Sequence, residues 1–145
     1  MADADADACA RELIEVIPLA SRWVRGTVRR RQPSWSVPQL MALGFLRLNP
    51  GVSLSDLAAH LGVGLPTAST LVSRLVAADL VDRRDDPDER RRTLLCLTAN
   101  GETQLESALT ESQRELAERL RSLSARDLAR VDQGLVVLRK LFGDV

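Results

Sequence analysis

One run of eleven residues concentrates the charged side chains of this 145-residue chain. Residues 82–92 hold five acids, five arginines and one proline, although the formal net charge of the whole chain is zero. Arginine is suited to contacting phosphate, because its planar fork of donors matches the phosphate oxygens. A charge run is usually a solvated loop or a disordered tail. Here both signs are interleaved and apolar stretches flank the run, which indicates a folded, exposed feature.

Residue types that support catalysis are sparse. His60 is the single histidine, and we find no nucleophile elbow, phosphate loop, metal-binding cluster or paired-carboxylate motif in the sequence. Cys9 and Cys96 are too few for a disulfide framework or a metal quartet. We therefore expect no enzymatic activity, no bound metal and no cofactor.

Bulk composition favours a globular protein without a membrane span. Apolar residues make up 45% of the chain, which argues against disorder. No apolar run approaches the roughly 20 residues that cross a bilayer, and the acidic start MADADADACA lacks a signal-peptide pattern. The expected location is the cytoplasm, with no membrane partner.

The first third of the sequence predicts helices. Residues 1–10 alternate alanine with aspartate over most of their length and are expected to form a flexible tail. Apolar residues then recur at steps of three and four through residues 11–31, which is typical of one helix face. Pro18 either kinks this helix or begins a second one. Ser36 and Gln39 have the spacing of a capping box and open another helix, which NPG at 49–51 ends.

The most informative stretch predicts a helix-turn-helix. Ser53 and Asp56 cap a short apolar helix, and GVG at 62–64 forms a tight turn before the next one. The inner face of that second helix is expected to contain Leu65, Ala68, Val72 and Leu75. Its outer face is small and polar, with Pro66, Thr67, Thr70, Ser73, Arg74 and Ala77. Short side chains suit a helix that enters a groove; an ordinary solvated face is the alternative, although such faces usually carry glutamate and lysine.

The rest of the chain predicts a wing and two long helices. LVDRR and RRTLLCL are β-prone runs on either side of the turn-rich DDPDE. Thr98 is the expected cap of the following helix. Apolar stripes then run along both terminal helices, through Leu105, Leu109, Leu116, Leu120, Leu128, Val131, Leu135, Leu138 and Phe142. The first helix and these two are expected to pack against a second copy of themselves; packing within a monomer is the alternative.

In this order of elements the chain resembles the MarR (multiple antibiotic resistance regulator) family of winged helix transcriptional regulators. The most specific match is residues 61–101, where DPDERR at 86–91 is similar to the family's wing-tip motif. The resemblance implies a mainly α fold with a small β-wing, as one domain over residues 11–145. Within it, residues 11–35 and 98–145 would be dimerisation helices, and residues 36–97 the winged helix-turn-helix.

The resemblance also implies a homodimer on a palindromic operator in double-stranded DNA. The expected DNA-binding residues are Pro66, Thr67, Thr70, Ser73, Arg74, Arg84, Asp88, Arg90 and Arg91. Arg90 would enter the minor groove, and Asp88 would aim it, whereas Asp82, Asp85 and Asp86 would mainly solvate the surface. In the family, a serine often caps the recognition helix and an arginine often reads bases, whereas Gly64 and Thr70 stand at these positions here. Fewer base contacts are therefore expected, and more of the recognition would come from apolar contact, water and DNA shape.

A small-molecule effector would bind between the first, second and fifth helices. Arg22, Trp23, Met41 and Phe45 are the candidates, with plain helix packing as the alternative for each. Two other functions stay open. One is redox sensing through Cys9, since Cys96 is expected to be packed on a wing strand. The other is a winged helix that binds a protein partner and has no operator.

Overall fold

A computed structural model describes residues 2–89 and 92–143. The chain divides into two compact units, residues 1–111 and 112–145. Six helices and three short strands follow one another within the described residues. In chain order they are α1 (Ala2–Arg31), α2 (Val37–Leu48), β1 (Val52–Ser53), α3 (Leu54–Leu61), α4 (Leu65–Ala77), β2 (Val81–Asp85), β3 (Thr93–Leu97), α5 (Ala99–Leu120) and α6 (Ala125–Phe142).

Helix α1 is one continuous helix that contains Pro18. It begins at Ala2, so the expected flexible tail over residues 1–10 is wrong for residues 2–10. Alanine is the strongest helix former, and aspartates near a helix N-terminus interact favourably with its dipole, so this stretch can extend the helix. Val28 near the other end is fully buried, whereas residues 14–20 are exposed.

Local capping begins α2 and α3 as the sequence predicts. The Gln39 amide donates to Ser36 Oγ at 3.3 Å, and the Ser36 amide donates to Gln39 Oε1 at 2.8 Å. Ser53 and Asp56 make the same reciprocal pair at 3.2 and 3.0 Å. Gly62 then ends α3 with φ of +66°, a left-handed conformation that glycine adopts without strain. These caps confirm the two capping boxes and the tight turn before α4.

The wing is part of a three-stranded antiparallel sheet in the order β1-β3-β2. Strands β2 and β3 pair from Val81 opposite Leu97 to Asp85 opposite Thr93. Val52 pairs with Leu95 on the other edge of β3. The sequence predicts the hairpin but not β1, since a two-residue strand has no periodicity to detect.

One apolar core unites α2, α3, α4, the sheet and the adjoining parts of α1 and α5. Its fully buried members include Leu43, Leu57, Leu75, Leu95 and Leu105. Leu65, expected on the inner face of α4, is instead 51% exposed because it is the first residue of that helix. Ala68, Val72 and Leu75 are completely buried, so the rest of that face is confirmed.

Hydrogen bonds close the base of the wing against α5. The Asp79 carbonyl accepts from Thr98 Oγ1 at 2.6 Å and from Asn100 Nδ2 at 3.2 Å. The Thr98 amide donates to the Leu80 carbonyl at 3.1 Å. A Cβ at Gly101 would lie 2.1 Å from the Leu80 oxygen, so only glycine lets the backbones approach this closely. The α4–β2 turn is thereby fixed to the first turn of α5.

The second unit contains the end of α5 and all of α6. Ser124 caps α6 by accepting from the Asp127 amide at 3.1 Å. No residue of α6 is buried. Its apolar side chains are instead exposed, among them Leu128, Val131, Leu135, Val136, Val137, Leu141 and Phe142.

Candidate nucleic-acid interface

The outer face of α4 presents short side chains to solvent. Pro66, Thr67, Thr70, Ser73 and Arg74 are all exposed, as the sequence predicts. The buried inner side chains fix the rotation of the helix about its axis and therefore fix which residues point outwards. Gly64 is the N-cap of this helix, and it makes no side-chain hydrogen bond to the first turn.

Two hydroxyls on this face have different hydrogen-bond partners. Thr70 Oγ1 donates to the Pro66 carbonyl at 3.0 Å, a bond within the helix. Ser73 Oγ accepts from Arg83 Nη2 at 3.1 Å, a bond from strand β2 to the helix. The sequence analysis did not identify Arg83 as a partner of Ser73. This bond depends on the distance between β2 and α4, which no local sequence pattern encodes.

A cavity of about 430 Å³ lies beside the same helix. Its lining is mostly apolar and comes from the start of α2, the α3–α4 turn and α4: Ser36, Pro38, Met41, Leu61, Val63, Thr67, Thr70, Leu71 and Arg74. The Arg74 guanidinium makes no hydrogen bond or ion pair with any residue that the structure describes. The cavity therefore combines an apolar wall with an uncompensated cation.

The four predicted effector residues are not brought together at this cavity. Met41 lines it, whereas Phe45 stacks on His60 with ring centroids 4.1 Å apart and an interplanar angle of 15°. Arg22 is exposed and Trp23 half-buried on α1, and neither lines the cavity. His60 is an exposed residue in the last turn of α3, where a histidine suits the helix dipole.

Asp86 organises the loop at the end of β2. Its side chain is only 13% exposed, and its Oδ1 accepts from the Asp88 amide at 2.9 Å. The Asp86 amide donates to the Arg92 carbonyl at 2.9 Å, and the Arg92 amide donates to the Glu89 carbonyl at 2.8 Å. Asp86 was expected to serve solvation; this expectation is wrong, because its contacts order the loop instead.

Charged contacts continue on either side of this loop. Arg84 on β2 lies 3.4 Å from Asp82, and both side chains are exposed. Asp88 is exposed as well. Arg90 and Arg91, which the sequence analysis places at the wing tip, lie outside the described residues.

Arg92 connects the wing to α3. Its guanidinium lies 3.7 Å from Asp56 Oδ2 and 3.9 Å from Asp86 Oδ2. Hydrogen bonds from the Ser53 side chain and backbone, and the charge of Arg92, lower the pKa of Asp56. Each contact is weak because it is long and because the Arg92 side chain is about half exposed. Together they tie the wing loop to the first helix of the helix-turn-helix.

Comparison with known proteins identifies this winged helix-turn-helix. The model of the MarR family matches residues 36–92, which run from the cap of α2 into the wing. This winged helix-turn-helix region is therefore similar to the MarR family. The uncharacterized HTH-type transcriptional regulators YfiV and YsmB of Bacillus subtilis are 27% and 24% identical over 105 and 102 residues. Those alignments cover 72% and 70% of this chain; the chain spans about two thirds of each relative's length, 66% and 70%.

Solved structures show the MarR-like fold over nearly the whole chain. RV1404 from Mycobacterium tuberculosis has a TM-score of 0.79 and 23% identity, covering 95% of this chain and 94% of its own. Wild-type MarR in its apo form from E. coli has a TM-score of 0.70 and 21% identity, covering 92% and 96%. At these identities the likeness concerns the fold, which confirms the mainly helical architecture with a small wing.

The family model and both relatives describe HTH-type transcriptional regulators, and the MarR family is not a family of enzymes. MarR family regulators bind DNA, usually as dimers. Among the described residues, no helix is both long enough and apolar enough to cross a membrane. Within the same residues, no cluster of histidine, cysteine, aspartate or glutamate has the arrangement of a metal site.

Proposed function

We propose that the protein binds a palindromic operator as a homodimer and represses nearby genes. The observation that carries this proposal is the outer face of α4, which is free of glutamate and lysine and rich in short hydroxyl side chains. Such a face approaches base edges closely, with threonine methyls against thymine methyls and hydroxyls against base edges or phosphates. Acting on chromosomal DNA implies a cytoplasmic location.

The homodimer proposal is supported by uncovered apolar faces on both terminal helices. Ile14 and Leu19 on α1 and Leu135 and Leu141 on α6 are at least half exposed. Exposed patches of this kind mark interaction sites. A second copy would cover the same faces on both chains, as twofold symmetry requires, and would place two recognition helices on one operator.

The direct test is binding to DNA from upstream of the protein's own gene. Wild type should shift this DNA in a gel at nanomolar concentration, and Thr70→Asp should abolish the shift, because a carboxylate would face phosphates and base acceptors. The dimer and its melting temperature should stay nearly unchanged. Ala77→Asp, farther along the same exposed face, shows whether any added charge on α4 has this effect. Unchanged operator affinity in Thr70→Asp would rule out this face.

The wing gives a second, quantitative test through Arg90. We propose that Arg90 contacts DNA in the minor groove, where both phosphates and base edges are in reach. Arg90→Ala should then weaken binding at least tenfold, through loss of about 1–3 kcal/mol per base contact. The slope of log affinity against log salt should fall by roughly 0.9 per lost phosphate contact, so by about 1.8 for two wings.

A second variant of the wing, Asp88→Ala, is compared with Arg90→Ala. It should weaken binding in the same direction but less, if Asp88 only aims the arginine. Asp86→Ala, which removes the brace of the described loop, should weaken binding more than Asp88→Ala does. Wild-type affinity and an unchanged salt slope in Arg90→Ala would make the wing an ordinary solvated hairpin.

Release by a small molecule is the finer part of the proposal, and the cavity beside α4 supports it. Thr67, Thr70 and Arg74 both line the cavity and belong to the proposed DNA-reading face. A compound held there would exclude DNA directly. Binding of candidate compounds can be followed by isothermal calorimetry, with Met41→Trp as a variant that fills the cavity; a compound that releases DNA equally well from this variant binds elsewhere.

Protein interaction without an operator remains the second candidate function. The apolar lining of the cavity and the exposed apolar faces favour it. Cys9 is exposed on α1 and Cys96 is half-buried on β3, both as free thiols. Failure of wild type to prefer any DNA sequence over random DNA would favour the interaction module over the regulator.

A further inference from the structure

The hydroxyls of Thr70 and Ser73 occupy the same exposed face of α4, one turn apart. A serine or threonine hydroxyl has one proton to donate and two lone pairs to accept with. Its partner in the protein therefore decides what it can still offer to another molecule. In this chain the partner of Thr70 is a hydrogen-bond acceptor, whereas the partner of Ser73 is a hydrogen-bond donor.

Thr70 has already used its proton. Its Oγ1 lies 3.0 Å from the Pro66 carbonyl, which can only accept, so the hydroxyl must donate. This back-bond to the preceding turn is common for threonine in helices. What remains on the exposed side of Thr70 is a pair of acceptor lone pairs and a methyl group.

Ser73 still has its proton. Its Oγ lies 3.1 Å from Nη2 of Arg83, which can only donate, so this oxygen must accept. No bond from the Ser73 hydroxyl to a carbonyl of the preceding turn occurs among the described residues. The nearby cation also polarises the hydroxyl, which strengthens it as a donor and opposes the approach of a further donor.

We propose that Arg83 is a specificity-positioning residue that fixes Ser73 as the hydrogen-bond donor of the recognition helix, opposite in polarity to Thr70. The inference rests on the proposed DNA-binding function and deepens it. Ser73 donates to an acceptor on DNA, which is purine N7, guanine O6, thymine O4 or a phosphate oxygen. Thr70 meets the amino group of adenine or cytosine, or a thymine methyl.

The spacing allows both positions to be read on one half-site. Residues three apart on a helix have side chains about 5–6 Å apart, and successive base pairs are separated by about 3.4 Å. Thr70 and Ser73 therefore reach adjacent or next-adjacent base pairs, or a base and its flanking phosphate. Strand β2 contributes to sequence choice through Arg83 without that side chain touching a base.

The test begins with DNA sequences that wild type selects from a randomised pool. Affinity for the selected site is then measured for Ser73→Ala, for Arg83→Met and for the double variant. Each single change should weaken binding roughly fivefold per half-site, the value of one neutral hydrogen bond. The double variant should be little weaker than Ser73→Ala alone, because both changes remove the same contact. Ser69→Ala, a serine of the same helix off the outer face, is the matched control and should bind as wild type does.

Two further arms separate the possible acceptors and test the positioning role. Repeating the selection with Ser73→Ala should relax the preference at one position if the acceptor is a base. Equal weakening on all sequences identifies a phosphate. Arg83→Lys keeps a cationic donor and should recover part of the affinity and preference that Arg83→Met loses. Thr70→Val should change the preference at a different operator position from Ser73→Ala.

Failure of the inference and failure of the proposed function give different results. If wild type selects no sequence at all, the regulator proposal fails. If wild type selects a site but the losses in Ser73→Ala and Arg83→Met are additive, the two residues act independently and the inference is wrong. A silent Ser73→Ala combined with a smaller salt slope in Arg83→Met would likewise overturn it, since Arg83 would then be a phosphate contact.

Discussion

The winged helix-turn-helix and the terminal helices of this protein differ in where their apolar side chains lie. In the first region Leu43, Leu57 and Leu75 are completely buried. On α6, Leu135 and Leu141 are 57% and 64% exposed, and no residue of that helix is buried. The sequence patterns of the two regions look alike, since both repeat apolar residues at steps of three and four. The difference teaches that periodicity identifies an apolar face but not what covers it.

The energetic consequence of this difference is large. Burying one such side chain contributes about 1.5–3 kcal/mol. An isolated helix of this length is marginal in water even with good helix formers. The 18 residues of α6 gain little from the apolar side chains that they leave exposed, so covering these side chains would stabilise the helix substantially.

The largest effect is expected at Leu135. Leu135→Asp places a charge on the apolar face of α6 and should convert the dimer to monomer or aggregate, as measured by sedimentation velocity. Operator binding should be lost with it, because two half-sites can no longer be bound together. Gln133→Asp puts the same charge on the opposite side of the helix and should remain dimeric. A well-folded Leu135→Asp dimer would falsify the assignment of α6 to the interface.

Two leucines of α2 test the difference between buried and exposed apolar side chains within one helix. Leu43 is completely buried and Leu48 is 74% exposed. Leu43→Ala should lower the free energy of unfolding by about 2–5 kcal/mol, because it leaves a cavity. Leu48→Ala should stay within about 0.5 kcal/mol of wild type. Denaturant unfolding at one fixed protein concentration measures both, and similar losses would show that Leu48 is covered in the assembled protein.

The smallest expected effect concerns Asp56, which is exposed. Its pKa is lowered in the folded protein, mainly by hydrogen bonds from Ser53 and also by the charge of Arg92. Its carboxylate therefore stabilises the fold above the ordinary pKa of 3.8, and this contribution is lost as the pH falls through the lowered value. Asp56→Asn should be slightly less stable than wild type at pH 7 and equal to it in acid. A difference that persists at pH 2 would have another cause than the charge.

Local features of the fold follow from the sequence, whereas contacts between distant elements do not. The caps at Ser36 and Ser53 involve residues three apart, and so their spacing alone predicts them. The buried face of α4 follows from helical periodicity. The bond between Arg83 and Ser73 and the strand β1 join elements whose mutual distance no short pattern encodes.

The charge pattern predicted the wing itself, but it did not predict the role of each charged residue within the wing. The interleaved acids and arginines correctly indicated a folded hairpin between β2 and β3. The sequence analysis assigned Asp86 to solvation and Asp88 to aiming Arg90. The near burial of Asp86 and its bond to the Asp88 amide distinguish them, and burial depends on the packing of the whole loop. Helix α1 begins earlier than the sequence analysis expected, at Ala2, because the alanines of this stretch have a high helix propensity.

The hydrogen bonds at the base of the wing have a consequence for how the protein can change over evolution. Contacts of Asp79 and Leu80 with Thr98 seal the hairpin where it leaves the core, so the tip is a closed loop with fixed ends. Lengthening a closed loop of seven residues by two costs about 0.2 kcal/mol in closure entropy. Insertions between Asp86 and Arg92 are therefore expected to cost the fold little, whereas Asp86, Arg92 and Gly101 should stay fixed.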